Sequence, residues 1–138
     1  MMTTHVYVEF NDFAKYADGM QAHARKAVAT TIKRIEARAK ASLSGPRSGR
    51  LYLKRGYKGK IVHKASAPGE PPATDTGNLA DSIGSRMTGK TEGEVTVTAE
   101  YAAALELGSA HIAPRPFFAP AVKAEWPGFL AAMKAIAE

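Results

Sequence analysis

Gly84-Ser85-Arg86-Met87-Thr88-Gly89-Lys90-Thr91 matches the phosphate-binding pattern GxxxxGK[ST] at every fixed position. In that pattern the backbone N–H groups of a glycine-rich loop cradle phosphates, the lysine reaches the terminal ones, and the hydroxyl holds a magnesium ion. The chemistry needs a particular context. The loop has to join a buried strand to a helix whose first N–H groups face the anion. Here Lys90-Thr91 is followed by Glu-Gly-Glu-Val-Thr-Val-Thr, an alternation that predicts a strand. No apolar run ending in Asp follows to hold the metal, and the chain has too few βαβ units for a doubly wound sheet. The same letters therefore predict a glycine hairpin that contains a lysine.

Other chemistry finds no better footing. His5, His23, His63 and His111 are scattered, without the HxH or HExxH spacing of a metal site. None of the serines sits in a GxSxG nucleophile elbow. Asp75, Asp81, Glu92 and Glu94 read as helix-cap and surface residues. There are no cysteines, which excludes disulfides, thiolate metal sites and cysteine nucleophiles. The sequence thus assigns no catalytic, metal or cofactor-binding residue, and the expectation is a protein that is not an enzyme.

Charge is more informative. The 138 residues carry a net +6, unevenly placed. Residues 21–64 hold 13 Lys and Arg against Glu36 alone, whereas residues 65–138 hold five against nine acids. Such segregation suggests a nearby polyanion or an acidic protein surface. Its densest part is Arg47, Arg50, Lys54, Arg55, Lys58, Lys60 and Lys64, interleaved with Tyr52 and Tyr57. Cations neutralise phosphates and tyrosines stack on bases, so this segment is the candidate contact to DNA or a partner.

These residues must be positioned by a single domain, the size prior for such a length. No apolar run approaches the ~18 residues of a membrane span, and the first residues do not read as a secretory signal. Val6, Val8 and Phe10 alternate in a strand, and Asn11 or Asp12 can cap the helix after it. Phe13, Tyr16, Met20, Ala24, Val28, Ile32, Ile35, Ala39 and Leu43 then recur at threes and fours. Gly19 is expected to break or bend this helix, whose main run from Met20 to Leu43 would span ~36 Å. Ser44-Gly45-Pro46 ends it. Residues 47–64 read as a flexible basic hairpin turning near Gly56–Gly59, and residues 67–73 as a proline-rich connector. A short helix is expected over 74–83, capped by Asp75 or Thr76. Strands follow at 83–88 and 94–99 around a turn at Gly89–Gly93, and a short helix at 101–107 stops at Gly108. Pro114 and Pro116 keep the chain extended before a terminal helix from Phe117, which Pro127 should kink or restart.

Three strings now stand in order: Thr76-Gly77-Asn78-Leu79-Ala80-Asp81-Ser82-Ile83, Tyr101-Ala102-Ala103-Ala104-Leu105-Glu106-Leu107-Gly108, and Arg115-Pro116-Phe117-Phe118-Ala119-Pro120-Ala121. With the connector Ala67-Pro68-Gly69-Glu70-Pro71-Pro72 ahead of them, they resemble a tailed-phage virion family. It is the gene-product-ten-like head–tail joining or minor tail-component family of siphophages, named after an HK-type lambdoid phage. Its pattern looks like T-G-x-L-x-x-S-I, Y-A-x-x-x-E-x-G and R-P-F-x-x-P-A, and the resemblance covers nearly the whole chain.

The resemblance implies an α+β fold, with a small mixed or antiparallel curved sheet packed against a long N-terminal helix and a C-terminal helix. It also implies a virion protein, of a phage or prophage, built into the neck or upper tail after assembly in the host cytoplasm. Its partners would be its own copies in a ring (a hexamer is one stoichiometry), neck, connector and tail proteins, and genomic DNA in the channel, with no membrane and no cofactor. The structural motif residues would be Thr76, Gly77, Leu79, Tyr101, Glu106, Gly108, Arg115, Pro116 and Phe117. In that light Thr76 and Gly77 turn the chain into a helix, Tyr101, Leu105 and Leu107 anchor the short helix to the sheet, and Glu106 pairs with Arg115. The competing reading is a stand-alone basic nucleic-acid-binding module.

Overall fold

The computed structural model describes residues 2–8, 17–44, 51–56, 59–64, 72, 78–111 and 113–137. In chain order these form β1 (Met2–Tyr7), α1 (Ala17–Ser42), β2 (Leu51–Gly56), β3 (Gly59–Lys64), α2 (Asn78–Asp81), β4 (Ile83–Met87), β5 (Glu92–Val97), α3 (Ala102–Leu107) and α4 (Ala119–Ala137). The expected α+β class is the one observed, and the main sheet is antiparallel throughout, ordered β1-β5-β4.

Period-two patterning decides which face of this sheet is buried. Val6 on β1, Val95 and Val97 on β5 and Ile83 on β4 all lie in the core. On the opposite face Arg86 donates from Nε to Glu94 Oε1 at 2.6 Å, and His5 Nδ1 lies 3.7 Å from Glu94 Oε2. Strand β1 begins earlier than its alternation suggested, and residues 9–16, with the expected Asn11 or Asp12 cap, lie outside the described residues. The β4–β5 turn is tighter than the glycines implied. Thr88 and Gly89 both donate their N–H to the Glu92 carbonyl, while Glu92 and Gly93 already pair with Tyr7 and Val6. Pairing with a second strand thus extends β5 into the glycine-rich segment.

Helix α1 crosses the buried face and is itself covered by α4, so it lies between the sheet and the last helix. Its close approach depends on Gly93. A Cβ there would sit 2.8 Å from Ile32 Cδ1, 3.2 Å from Val28 Cγ1 and 3.3 Å from the Arg86 carbonyl oxygen. A side chain at this second residue of β5 would therefore force Ile32 and Val28 to shift from their packing on the sheet. The breaks expected at Gly19 and Pro127, each with a bend or kink as its alternative, do not occur. Gly19 lies inside α1 and neither breaks it nor meets any neighbour there. Helix α4 likewise runs through Pro127 without restarting. In both cases the intrinsic cost, about 1 kcal/mol for glycine and 3 for proline, is outweighed by burying one continuous face. That face includes Ala24, Val28, Ile32, Ile35 and Ala39 on α1 and Ala121 and Phe129 on α4.

Helix α1 ends at Ser42, where the Ser42 and Ser44 hydroxyls donate back to the Ala39 and Ala41 carbonyls. The hairpin beyond it forms as expected, with Leu51 opposite Lys64 and Gly56 opposite Gly59. Among the described residues its strands pair only with each other, making a second, two-stranded sheet. Of the proline-rich connector only Pro72 is described, and it is buried.

Candidate functional site

The junction between α3 and α4 gathers the motif residues. Helix α3 stops at Gly108, whose φ of 80° is a conformation that favours glycine, and the Gly108 N–H donates to the Ala104 carbonyl at 2.8 Å. The chain then returns, held by the Arg115 N–H on the Leu105 carbonyl at 2.6 Å. Phe118 occupies the N-cap of α4, its carbonyl accepting the first helical bond from Val122. A phenylalanine has no side-chain oxygen to cap a helix, and Pro120 brings no N–H that needs one.

Glu106 supplies the missing acceptor from another element. Its Oε2 accepts the N–H groups of Phe117 at 2.8 Å and Phe118 at 3.0 Å, and its Oε1 accepts that of Ala119 at 2.8 Å. The carboxylate is only 8% exposed. It places a negative charge where the α4 dipole is positive, which adds to the hydrogen bonds. The expected Glu106–Arg115 pair is therefore corrected: among the described residues Glu106 bonds to backbone N–H groups, and Arg115 Nε is buried without a hydrogen-bond partner. The anchoring role given to Tyr101 and Leu107 is corrected too, since they are 49% and 74% exposed. Six residues of helix bury one narrow face, which here is Ala102 and Glu106 with Leu105 partly buried beside them. Phe117 and Phe118 pack edge-on at 6.5 Å under the junction.

The phosphate-loop letters lie elsewhere and hold the sheet together. Gly84 is in β4, and the chain after Lys90-Thr91 continues as β5 rather than a helix. The Lys90 carbonyl accepts from Arg25 Nη1, while the Thr91 hydroxyl donates to the Val8 carbonyl at 2.6 Å. Among the described residues, no cluster of His, Asp or Glu is placed to hold a metal ion.

Glu36 on α1 ties the helix to the sheet by accepting from the Ser85 hydroxyl and from Lys40 Nζ at 3.0 Å. Burial pushes its carboxyl pKa up, but the hydrogen bonds from Ser85 and Lys40 and the charges of Lys40 and Lys33 outweigh this, and the net shift is downward. A depressed carboxylate stabilises the fold above its unfolded pKa and loses that contribution as pH falls through the folded one. Glu36→Gln should therefore flatten the acid limb of stability against pH, measured by urea titration at stepped pH. An acid limb identical to wild type would contradict the assignment.

The cations fall into two groups. On α1, Lys40 and Arg38 pair with Glu36 and Glu125, while Lys26 and Arg34 are exposed and make no ion pair with the described residues. In the basic hairpin the backbones of Lys54 and Arg55 lie on β2 and those of Lys60 and Lys64 on β3. Arg47, Arg50 and Lys58 lie outside the described residues, as do Thr76, Gly77 and the expected Asp75 cap. Leu79, on α2, packs partly buried against the core, and Pro116 is half-buried.

A family model described as "Bacteriophage HK97-gp10, putative tail-component" matches residues 11–108. That span takes in α1, both hairpins and α3 as far as Gly108. The chain belongs to this family. Comparison with curated proteins and with solved structures gives no match, so the family model alone carries the assignment. The family description is that of a phage tail component, which indicates a virion-associated, tail-component-like structural role for this chain alongside other phage structural proteins. The match ends before α4, so the carboxylate of Glu106 lies inside the matched span and the N–H groups it holds lie beyond it. No helix among the described residues is long and apolar enough to cross a membrane.

Proposed function

We propose that the chain is a structural virion protein of a tailed phage or prophage that assembles as a ring at the head–tail neck or upper tail, around the DNA channel. The observation that carries this reading is the β2–β3 hairpin. Residues 47–64 contain seven Lys and Arg and no acid, and its strands join neither edge of the main sheet. A lone two-stranded hairpin is marginal in water and gains stability from a surface laid against it. A cationic one suits the phosphates of DNA in a channel, or an acidic neighbouring ring. The rest of the chain supplies a body to present it: the antiparallel sheet, α1 and α4, with Glu106 fixing the last helix.

Charge segregation also fits a stand-alone nucleic-acid-binding module, which would bind duplex DNA as a monomer with steep salt dependence. Genetics separates the two. Deleting the gene from its phage or prophage should leave unjoined heads and tails in electron micrographs of the lysate, with infectivity restored by complementation. Normal joined particles at full titre would refute the virion role.

A further inference from the structure

We propose that the groove between α1 and α4 is the docking site for an acidic amphipathic helix of another protein. The groove has a volume of about 640 Å3. Its floor is Ala27, Phe129, Ala132 and Ile136, and its rim carries Lys26 and Arg34. The one carboxylate lining it, Glu125, is already held by Arg38, whose Nε and Nη2 both lie 2.9 Å from Oε1. What remains, among the described residues, is a largely apolar floor with a positive edge that no carboxylate pairs, complementary to apolar anchors flanked by carboxylates.

Dimensions and local sequence agree with a helical guest. The stretches 26–34 and 128–136 each run ~12 Å at 1.5 Å per residue, which matches about two turns of a third helix. Gly128 sits in the middle of α4, where glycine costs about 1 kcal/mol against alanine. A Cβ at Gly128 would meet no atom within 4 Å, so packing within the chain does not require glycine there. Its effect is to leave the groove open, and the small side chains of Ala27 and Ala132 in the lining do the same.

Two other occupants fit less well. Duplex DNA would satisfy Lys26 and Arg34 but offers no apolar cover to the half-buried Ala27, Ala132 and Ile136. A second copy laid groove on groove would bring like charges together, which is unfavourable.

The probe is a synthetic amidated peptide of about four helical turns, with leucines at i, i+3, i+4 and i+7 and glutamates on both flanks. A matched peptide with lysine for every glutamate and a short DNA duplex serve as the other arms, and binding is followed by amide chemical shifts of the full chain. Saturable binding of the acidic peptide is expected, with shifts confined to 23–34 and 125–136. Affinity should fall about tenfold or more in Lys26→Glu/Arg34→Glu, which is about 1.4 kcal/mol. Gly128→Leu fills the groove with a better helix former, so it should abolish binding while the fold is retained. The proposal is overturned if the acidic peptide does not bind, if the lysine peptide binds equally, or if Gly128→Leu binds like wild type. It is also overturned if duplex DNA or self-association takes these residues in place of the peptide.

Discussion

Replacing Glu106 with alanine is expected to destabilise the protein by about 2–6 kcal/mol, because it strands two buried backbone donors at about 1–3 kcal/mol each. Those donors are the N–H groups of Phe117 and Phe118, both buried, whereas Ala119 is exposed and water can replace the carboxylate there. An ordinary surface cap is worth about 1 kcal/mol. The larger figure follows from burial and from one carboxylate serving two buried donors. Glu106→Gln keeps an acceptor oxygen but loses the charge and should cost less, about 1–2 kcal/mol. Arg115→Met is the informative control. If Glu106 acted by pairing with Arg115, the two truncations would cost alike; the cap predicts that Arg115→Met costs much less. Urea unfolding of the three variants decides it, and an alanine variant as stable as wild type would disprove the cap.

Phe117→Ala is expected to cost about 3–5 kcal/mol, the range for deleting a buried aromatic ring. Phe117 is 1% exposed and is the largest of the fully buried side chains. Its ring fills the space beneath the junction while its N–H is held by Glu106, so two different interactions fix one turn of chain. The double variant Glu106→Ala/Phe117→Ala should therefore fall short of additivity by about 0.5–3 kcal/mol. Either single change removes a large share of a domain stability that is typically about 5–15 kcal/mol. Equal stability of Phe117→Ala and wild type in the same titration would place the ring outside the core.

What the sequence made legible was governed by periodicity. The alternation of Val95, Thr96 and Val97 marked a half-buried strand and thereby removed the helix that a phosphate loop requires after Lys90. The threes and fours from Met20 to Leu43 marked α1, and the glycines at 56 and 59 marked the hairpin turn. Glu106 was visible as a motif residue, but its role was not, since the contact depends on how α3 and α4 are placed against each other. A signal was present in retrospect. The terminal helix begins after Phe-Phe with no Ser, Thr, Asp or Asn at its N-cap, so an acceptor had to come from elsewhere. At Gly19 and Pro127 the helix continues, because the local propensity to break it was overruled by tertiary burial. The α1–α4 groove has no signature in the sequence, for it exists only between two packed helices.

The most direct test of the virion account is the composition of purified particles. Virions from a lysate of the phage or induced prophage would be digested and quantified by mass spectrometry, with gold-labelled antibody marking the position of the chain. The account predicts several copies per particle, constant between preparations, with gold at the head–tail junction or upper tail. A chain found free in the lysate and missing from purified infectious particles would contradict it.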